Sequence, residues 1–236
     1  MDGMIFAAGL GTRLRPLTDD RPKALVELKG KPLLEHVILK MKEAGVGRVV
    51  VNVHHYAGMI ESFLAARNYF GMDVVVSDER DCLLDTGGGL LKARRLFRTG
   101  EPVLIHNVDI LSDLNLDELS KAHETANNYV TLVTRPSQGE RVLKFDAAGV
   151  LKGWENKQTG EQKMVDENFF QSKDYSFCGI HIISPDFLEN FIYSGVFSII
   201  DEYLARAKSK PLRMYPYTGR FMDLGTPEAI AEAGGW

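Results

Sequence analysis

Cysteine is scarce in this chain: among 236 residues there are two, Cys82 and Cys178, far apart in sequence. So few thiols cannot form a disulfide framework or a structural zinc site. The six histidines (His36, His54, His55, His106, His123, His181) show no HxxxH spacing, and there is no CxxC. Both thiols are expected to be reduced and buried, as in a cytosolic protein. Long apolar runs are also missing. Met4–Ala8 stops at a glycine, too short for a signal-peptide core and with no basic segment before it. No apolar stretch approaches the ~20 residues that span a bilayer. Nor is there an excess of basic charge. Lys and Arg number 28 against 32 Asp and Glu, a net charge of −4, which argues against nucleic acid or an anionic membrane as partner. The chain reads as a soluble cytoplasmic protein, a monomer or small homo-oligomer.

What is present is ordinary globular composition, 44% hydrophobic and 25% charged, which excludes wholesale disorder. Short apolar runs alternate with helical periodicity through the first half. Strands are predicted at Met4–Ala8, Val49–Val53, Met72–Val76, Pro102–His106 and Tyr129–Val133. Helices are predicted from Pro32 to a cap at Gly45, over Ala57–Arg67 and over Leu90–Phe97, with an Asn115–Glu118 capping box before another. Such alternation requires βαβ crossovers, hence an α/β fold: a Rossmann-like, mainly parallel mixed sheet flanked by helices. The second half turns antiparallel. Val142–Phe145 and Val150–Trp154 flank the hairpin signal Asp146-Ala147-Ala148-Gly149. A strand at Ser176–Ile183 leads to a helix start at Ser184-Pro185-Asp186. A helix near Ile199–Lys208, a strand at Leu212–Tyr215 and a final helix opened by Thr226-Pro227-Glu228 follow. Gln158–Lys173, polar and aperiodic, reads as a flexible insertion. With no repeat and no linker, residues 1–236 read as one domain.

The chemistry concentrates in Ala7-Ala8-Gly9-Leu10-Gly11-Thr12-Arg13-Leu14-Arg15-Pro16-Leu17-Thr18. A glycine-rich loop after a first parallel strand offers backbone N–H groups to phosphate. The dinucleotide fingerprint GxGxxG fails here, because its third glycine is missing and Pro16 interrupts the helix that should follow. GxxxxGK[ST] is absent, so there is no P-loop. What remains is glycines beside Arg13 and Arg15, followed by Pro22-Lys23-Ala24-Leu25. Fixed positive charge beside free amides suits a triphosphate, with Arg13 gripping oxygens bidentately and Lys23 acting as a point charge. Alone, the loop reads as a basic surface turn paired with Asp19 and Asp20. Two aspartates change that balance. Val103–Val108 is a buried run that delivers Asp109 at its C-terminal end, the edge where open α/β sheets bind ligands. Phe221-Met222 runs into Asp223 in the same way. Two carboxylates with a nucleoside triphosphate are what Mg²⁺ calls for.

Together these segments resemble the sugar-1-phosphate nucleotidyltransferases from Met4 to about Glu232. Ala7–Thr18 with Pro22-Lys23 is similar to the family signature GxGTRxxPLT followed by PK. The resemblance implies the nucleotide-diphospho-sugar transferase fold, with a nucleotide-binding half over about 1–135 and a sugar-binding half over about 136–236. It implies Mg²⁺ held by Asp109 and Asp223, and catalytic roles for Arg13, Lys23 and Asp109. Asn107-Val108-Asp109 departs from the family's NGD only in the middle. Asp85-Thr86-Gly87-Gly88-Gly89 resembles the (E/D)TGGG segment of short members such as the N-acetylmuramate-1-phosphate uridylyltransferases and mannose-1-phosphate guanylyltransferases.

The nucleotide site implied is Ala8, Gly9, Gly11, Thr12, Arg13, Lys23, Thr86, Gly87 and Gly88, with the glycine amides facing base or ribose. Asn107, Glu155, Lys157, Gly179 and Asp223 fall to the sugar phosphate, Glu155-Asn156-Lys157 resembling an EKP element interrupted by Asn156. The reaction implied joins an NTP to a sugar 1-phosphate and releases pyrophosphate, with UTP and GTP both open and UTP favoured. Rival readings are a CTP-dependent cytidylyltransferase for phosphocholine or a phosphonate, and a catalytically silent NDP-sugar-binding regulator. No hexapeptide-repeat region is present, so no acyltransferase activity is expected. His54-His55 reads as a polar turn and Arg94-Arg95 as a solvated helix face. Tyr69-Phe70, Phe169-Phe170 and the pair Phe187 and Phe191 read as core packing.

Overall fold

The computed structural model describes residues 1–137 and 139–236. The nucleotide-side half runs β1 (Asp2–Phe6), β2 (Glu27–Leu28), β3 (Lys31–Pro32), α1 (Leu33–Glu43), β4 (Arg48–Val53), α2 (Ala57–Ala66), β5 (Asp73–Asp78), α3 (Asp85–Ala93), β6 (Val103–Asn107), β7 (Ile110–Ser112) and α4 (Leu116–Thr125). The chain continues through β8 (Val130–Pro136), β9 (Arg141–Phe145), β10 (Leu151–Asn156), β11 (Glu161–Met164), β12 (Lys173–Ile183), α5 (Pro185–Glu189), α6 (Ile199–Ala207), β13 (Arg213–Pro216), β14 (Phe221–Asp223) and α7 (Pro227–Ala233).

One sheet carries both halves, in the order β11-β10-β9-β12-β6-β1-β4-β5, with β8 pairing β12 and β13 off that path. The β6-β1-β4-β5 stretch is parallel. From β12 to β11 the pairing is antiparallel, as is β8 on β12, while β13 joins β8 in parallel. The fold is thus the α/β arrangement expected from the alternating pattern, with its antiparallel excursion in the second half. Strand β4 shows why the parallel strands read as unbroken apolar runs. Val49, Val51 and Val53 belong to the cluster under α1 and α2, while Val50 belongs to the opposite cluster with Leu90 of α3 and Tyr203 of α6. Burial on both faces removes any alternation.

The hairpin turn forms as its residues dictate: Asp146 Oδ1 accepts from the N–H groups of Ala148 and Val150, each at 2.9 Å, and Gly149 takes φ +72°. Asn115 caps α4 by accepting from Asp117 and Glu118.

Four expectations are corrected. The Gln158–Lys173 segment is a built part of the sheet, because β11 pairs with β10 in the register Glu155↔Gln162 and Phe169 is 1% exposed. Its polar side chains line an edge strand, which needs one anchoring aromatic rather than an apolar face. Phe169 serves as that anchor, whereas Phe170 is 72% exposed and Tyr69 also reaches solvent. Cys178 is buried but Cys82 is exposed. Finally, α3 starts at Asp85, five residues before the predicted Leu90, and takes all three glycines into its first turns.

Candidate active site

The glycine loop leaves β1 at the C-terminal edge of the parallel strands and closes into a single 3₁₀ turn, Thr12–Leu14. No α-helix follows it until α1, in keeping with Pro16 and the missing third glycine. Gly11 adopts φ +65°, and a Cβ there would lie 3.0 Å from Thr18 Cγ2 and 3.1 Å from Lys23 Cβ. Glycine is therefore required both by the backbone and by the close return of the Pro22-Lys23 segment. Gly9 is different: a Cβ would meet nothing within 4 Å. The space above it is open.

Four segments bring the charged groups together. Lys23, on the Lys23–Leu25 3₁₀ turn, directs Nζ at Asp109 Oδ2 in an ion pair whose side chains are each 13% exposed. Asp109 follows β6, and its carbonyl accepts the Leu224 N–H at 2.7 Å. That bond and the antiparallel β7–β14 ribbon, which sets Asp223 opposite Ile110, hold the second carboxylate beside the first. Burial, and next the charge of Asp109, push the Asp223 carboxyl above its ordinary value. Lys23 and Arg13 oppose that shift. The Arg13 guanidinium packs close over Gly225, where a Cβ would stand 2.6 Å from Nη2 and 2.8 Å from Asp223 Oδ1. Gly225 leaves the clearance in which Arg13 packs on the side of Asp223.

Beside this cluster opens a cavity of about 470 Å³. Ala8, Gly9, Lys23, Thr86, Asn107 and Asp109 all line it. Gly179, with φ +68°, packs its Cα under Asn107, whose Nδ2 would be 2.7 Å from a Cβ. Arg13 and Asp223 join through the charge cluster rather than the cavity wall. Thr12 is exposed on the loop.

Two sets of residues stand elsewhere. Gly87 and Gly88 do not present free amides: both N–H groups point to the Phe197 carbonyl, at 2.9 and 3.3 Å. A Cβ on Gly87 would lie 2.3 Å from the Phe197 ring, and one on Gly88 2.3 Å from the Gly195 carbonyl oxygen. The glycine run seats α3 against the loop before α6, and Thr86 adds to that seat by accepting the Ile199 N–H through Oγ1 at 3.0 Å. Close packing accounts for the three glycines. Glu155 and Lys157 lie outside the cavity lining, in a charged network on the antiparallel part of the sheet. Lys144 Nζ bridges Glu155 and Asp174, each at 2.9 Å, Gln162 donates to Glu155 at 2.7 Å, and Lys157 pairs with Asp174 at 2.6 Å.

The structure adds Asn52, Glu79, Leu83, Asp85 and Val196 to the cavity. One of these had a legible signal: Asn52 is a lone polar residue inside the apolar run Val49–Val53 at the ligand-bearing strand end.

A nucleotidyl transferase family model matches residues 2–234. The chain is 32% identical over 234 residues to an N-acetylmuramate alpha-1-phosphate uridylyltransferase of Caulobacter vibrioides, covering 96% of this chain and 92% of the relative. To the mannose-1-phosphate guanyltransferase of Gibberella zeae it is 30% identical, covering 97% of this chain and 62% of that protein. Among solved structures, HddC from Yersinia pseudotuberculosis complexed with GMP-PN superposes with a TM-score of 0.78 at 22% identity, covering 99% and 98% of the two chains. A putative glucose-1-phosphate thymidylyltransferase from Bacillus anthracis gives 0.83 at 18% identity, over 100% and 94%. These two structures establish the shared fold. The sequence matches establish descent: the chain belongs to the nucleotidyl transferase family, and it is an enzyme of that class.

Proposed function

We propose that this enzyme joins an NTP, UTP or GTP, to a sugar 1-phosphate, giving an NDP-sugar and pyrophosphate. The observation that carries the reading is the convergence of Lys23, Arg13, Asp109 and Asp223 beside a cavity lined by the glycine loop. The uridylyltransferase relative, matched over nearly the full length of both chains, favours UTP. The acceptor phosphate is already an anion, so attack on the α-phosphorus needs no general base. Nor does it need a covalent nucleophile. Catalysis is then positioning plus charge neutralisation. The loop amides and Arg13 orient the triphosphate, and Lys23 exchanges its bond to Asp109 for a phosphoryl oxygen.

The donor set fits Mg²⁺. Two neighbouring carboxylates, one of them raised above its ordinary value by desolvation and by the other's charge, are hard oxygen donors whose repulsion a divalent cation would relieve. Among the described residues no cluster of three or more His, Cys, Asp or Glu could hold a metal. Mg²⁺ commonly takes several of its ligands from phosphate and water. Asp109 and Asp223 would hold it, and it would neutralise charge developing on the phosphoryl group. On the acceptor side we assign Asn107 and Gly179, with Glu155 and Lys157 from the charged network outside the cavity lining.

Pyrophosphate release across the four NTPs, against a panel of sugar 1-phosphates with phosphocholine included, tests the reading. Release with UTP or GTP and a sugar phosphate is expected. Release with CTP and phosphocholine alone, or binding of NDP-sugar without any turnover, overturns it.

A further inference from the structure

The two walls of the cavity are joined through its floor by a directional chain of hydrogen bonds. Asn52, 3% exposed at the end of β4, accepts the Ala7 N–H at 2.7 Å and the Ala8 N–H at 3.3 Å through Oδ1. Those amides open the glycine loop. Asn52 Nδ2 donates to Glu79 Oε1 at 2.8 Å, and Glu79 Oε2 accepts the Leu84 N–H at 3.3 Å, one residue before α3. Glu79 is fully buried, its hydrogen bonds go to these amides, and among the described residues it forms no direct ion pair, Lys92 and His54 acting on it only through their charge. A carboxylate without an ion pair is a costly thing to bury. What it uniquely supplies is two acceptors on one head, facing two donors. A glutamine in its place would set donor against donor at Asn52 or at Leu84.

We propose that Asn52 and Glu79 are positioning residues, a relay that fixes the glycine loop relative to the start of α3 so that the nucleotide meets a preformed cradle. Neither touches the reacting atoms. Kinetic readout of the relay rests on the nucleotidyl-transfer reading; the structural readout below does not.

The test reverses the hydrogen-bond directions. N52D alone places acceptor against acceptor, and E79Q alone places donor against donor. Each single variant should raise the KM for NTP about tenfold while leaving the KM for sugar phosphate within about twofold. In the N52D/E79Q double variant the introduced carboxylate accepts Ala7, Ala8 and the introduced amide, whose oxygen accepts Leu84. Every donor again has an acceptor, so the KM for NTP should return to within about threefold of the parent. Calorimetric UTP and GTP affinity and amide exchange at Ala7 and Ala8 should follow the same pattern, loosened in each single variant and restored in the double. Singles with unchanged NTP affinity, or a double no better than the worse single, overturn the relay. If a single variant fails to fold, the double still decides: restored folding with parental affinity supports the relay, and failure of both refutes it. An absence of nucleotide transfer by the parent would count against the proposed function, while affinity and exchange would still judge the relay.

Discussion

Asp223 lies across the β7–β14 ribbon from Ile110, the residue after Asp109, so the register of one short strand pair sets two carboxylates side by side. The Leu224 N–H locks that register by donating to the Asp109 carbonyl. Strand pairing thus forces together two like charges more than a hundred residues apart in sequence, and Lys23 ties off one of them.

Removing either charge should separate chemistry from stability. Asp109→Asn and Asp223→Asn are each expected to lower turnover by more than ~100-fold, since each deletes charge that balances the phosphoryl group. Asp223→Asn should also raise the thermal midpoint, because it relieves the repulsion between that carboxylate and Asp109. Calorimetric melting alongside turnover at limiting Mg²⁺ checks both, and near-normal turnover by both variants would remove the metal assignment.

Arg13 should act through geometry as well as charge. Its guanidinium packs over Gly225, on the side of Asp223. Arg13→Ala should reduce the rate of transfer, and Arg13→Lys should not rescue it, since a point charge cannot reproduce the fork. Intact catalytic efficiency in Arg13→Ala would show that the loop does not orient the triphosphate.

Two glycines near the cavity should respond in opposite ways. Gly88→Ala drives a Cβ against the Gly195 carbonyl, an overpacking expected to cost about 1–3 kcal/mol of stability. Gly9→Ala, with open space around its Cβ, should melt like the parent but bind NTP more weakly. Denaturant midpoints and NTP titrations of the pair distinguish packing from ligand clearance.

Buried histidines set an acid limit. Burial pushes His106 and His123 down to about 4 and His181 to about 3, so all three stay neutral in the folded chain while unfolded histidines protonate near 6.5. The unfolded state then binds more protons, and stability should fall as pH drops from about 6.5 towards 4, by up to ~1.4 kcal/mol per pH unit for each histidine. His181, packed between Phe177 and Tyr203, is the cleanest probe. His181→Leu should remove one proton from that slope in denaturant titrations between pH 4.5 and 7. An unchanged slope would mean that His181 protonates in the folded state.

The sequence reveals this molecule unevenly, for physical reasons. The parallel strands and α1 are legible because burial on both faces, or a helical stripe with proline at its start, leaves its mark in residue type. The pairing of Asp109 with Asp223 is legible only through strand ends that point to the same edge. Residues 158–173 hide their order because an edge strand needs only one anchor, Phe169. The packing role of the triple glycine is hidden for a different reason: the space it clears is filled by Phe197 and Gly195, from a loop more than a hundred residues later. Glu79 leaves no trace in the sequence, since a charged residue after β5 reads as surface until its burial is seen.

The proposed transfer is one direct displacement at the α-phosphorus, run by positioned charge with no covalent nucleophile. An NTP made chiral at that phosphorus by sulfur substitution, incubated with the enzyme and a sugar 1-phosphate, reports it directly. The NDP-sugar is expected to form with inversion of configuration, in step with pyrophosphate. Retention would require an enzyme-bound nucleotidyl intermediate, and would contradict the mechanism drawn from Lys23, Arg13, Asp109 and Asp223.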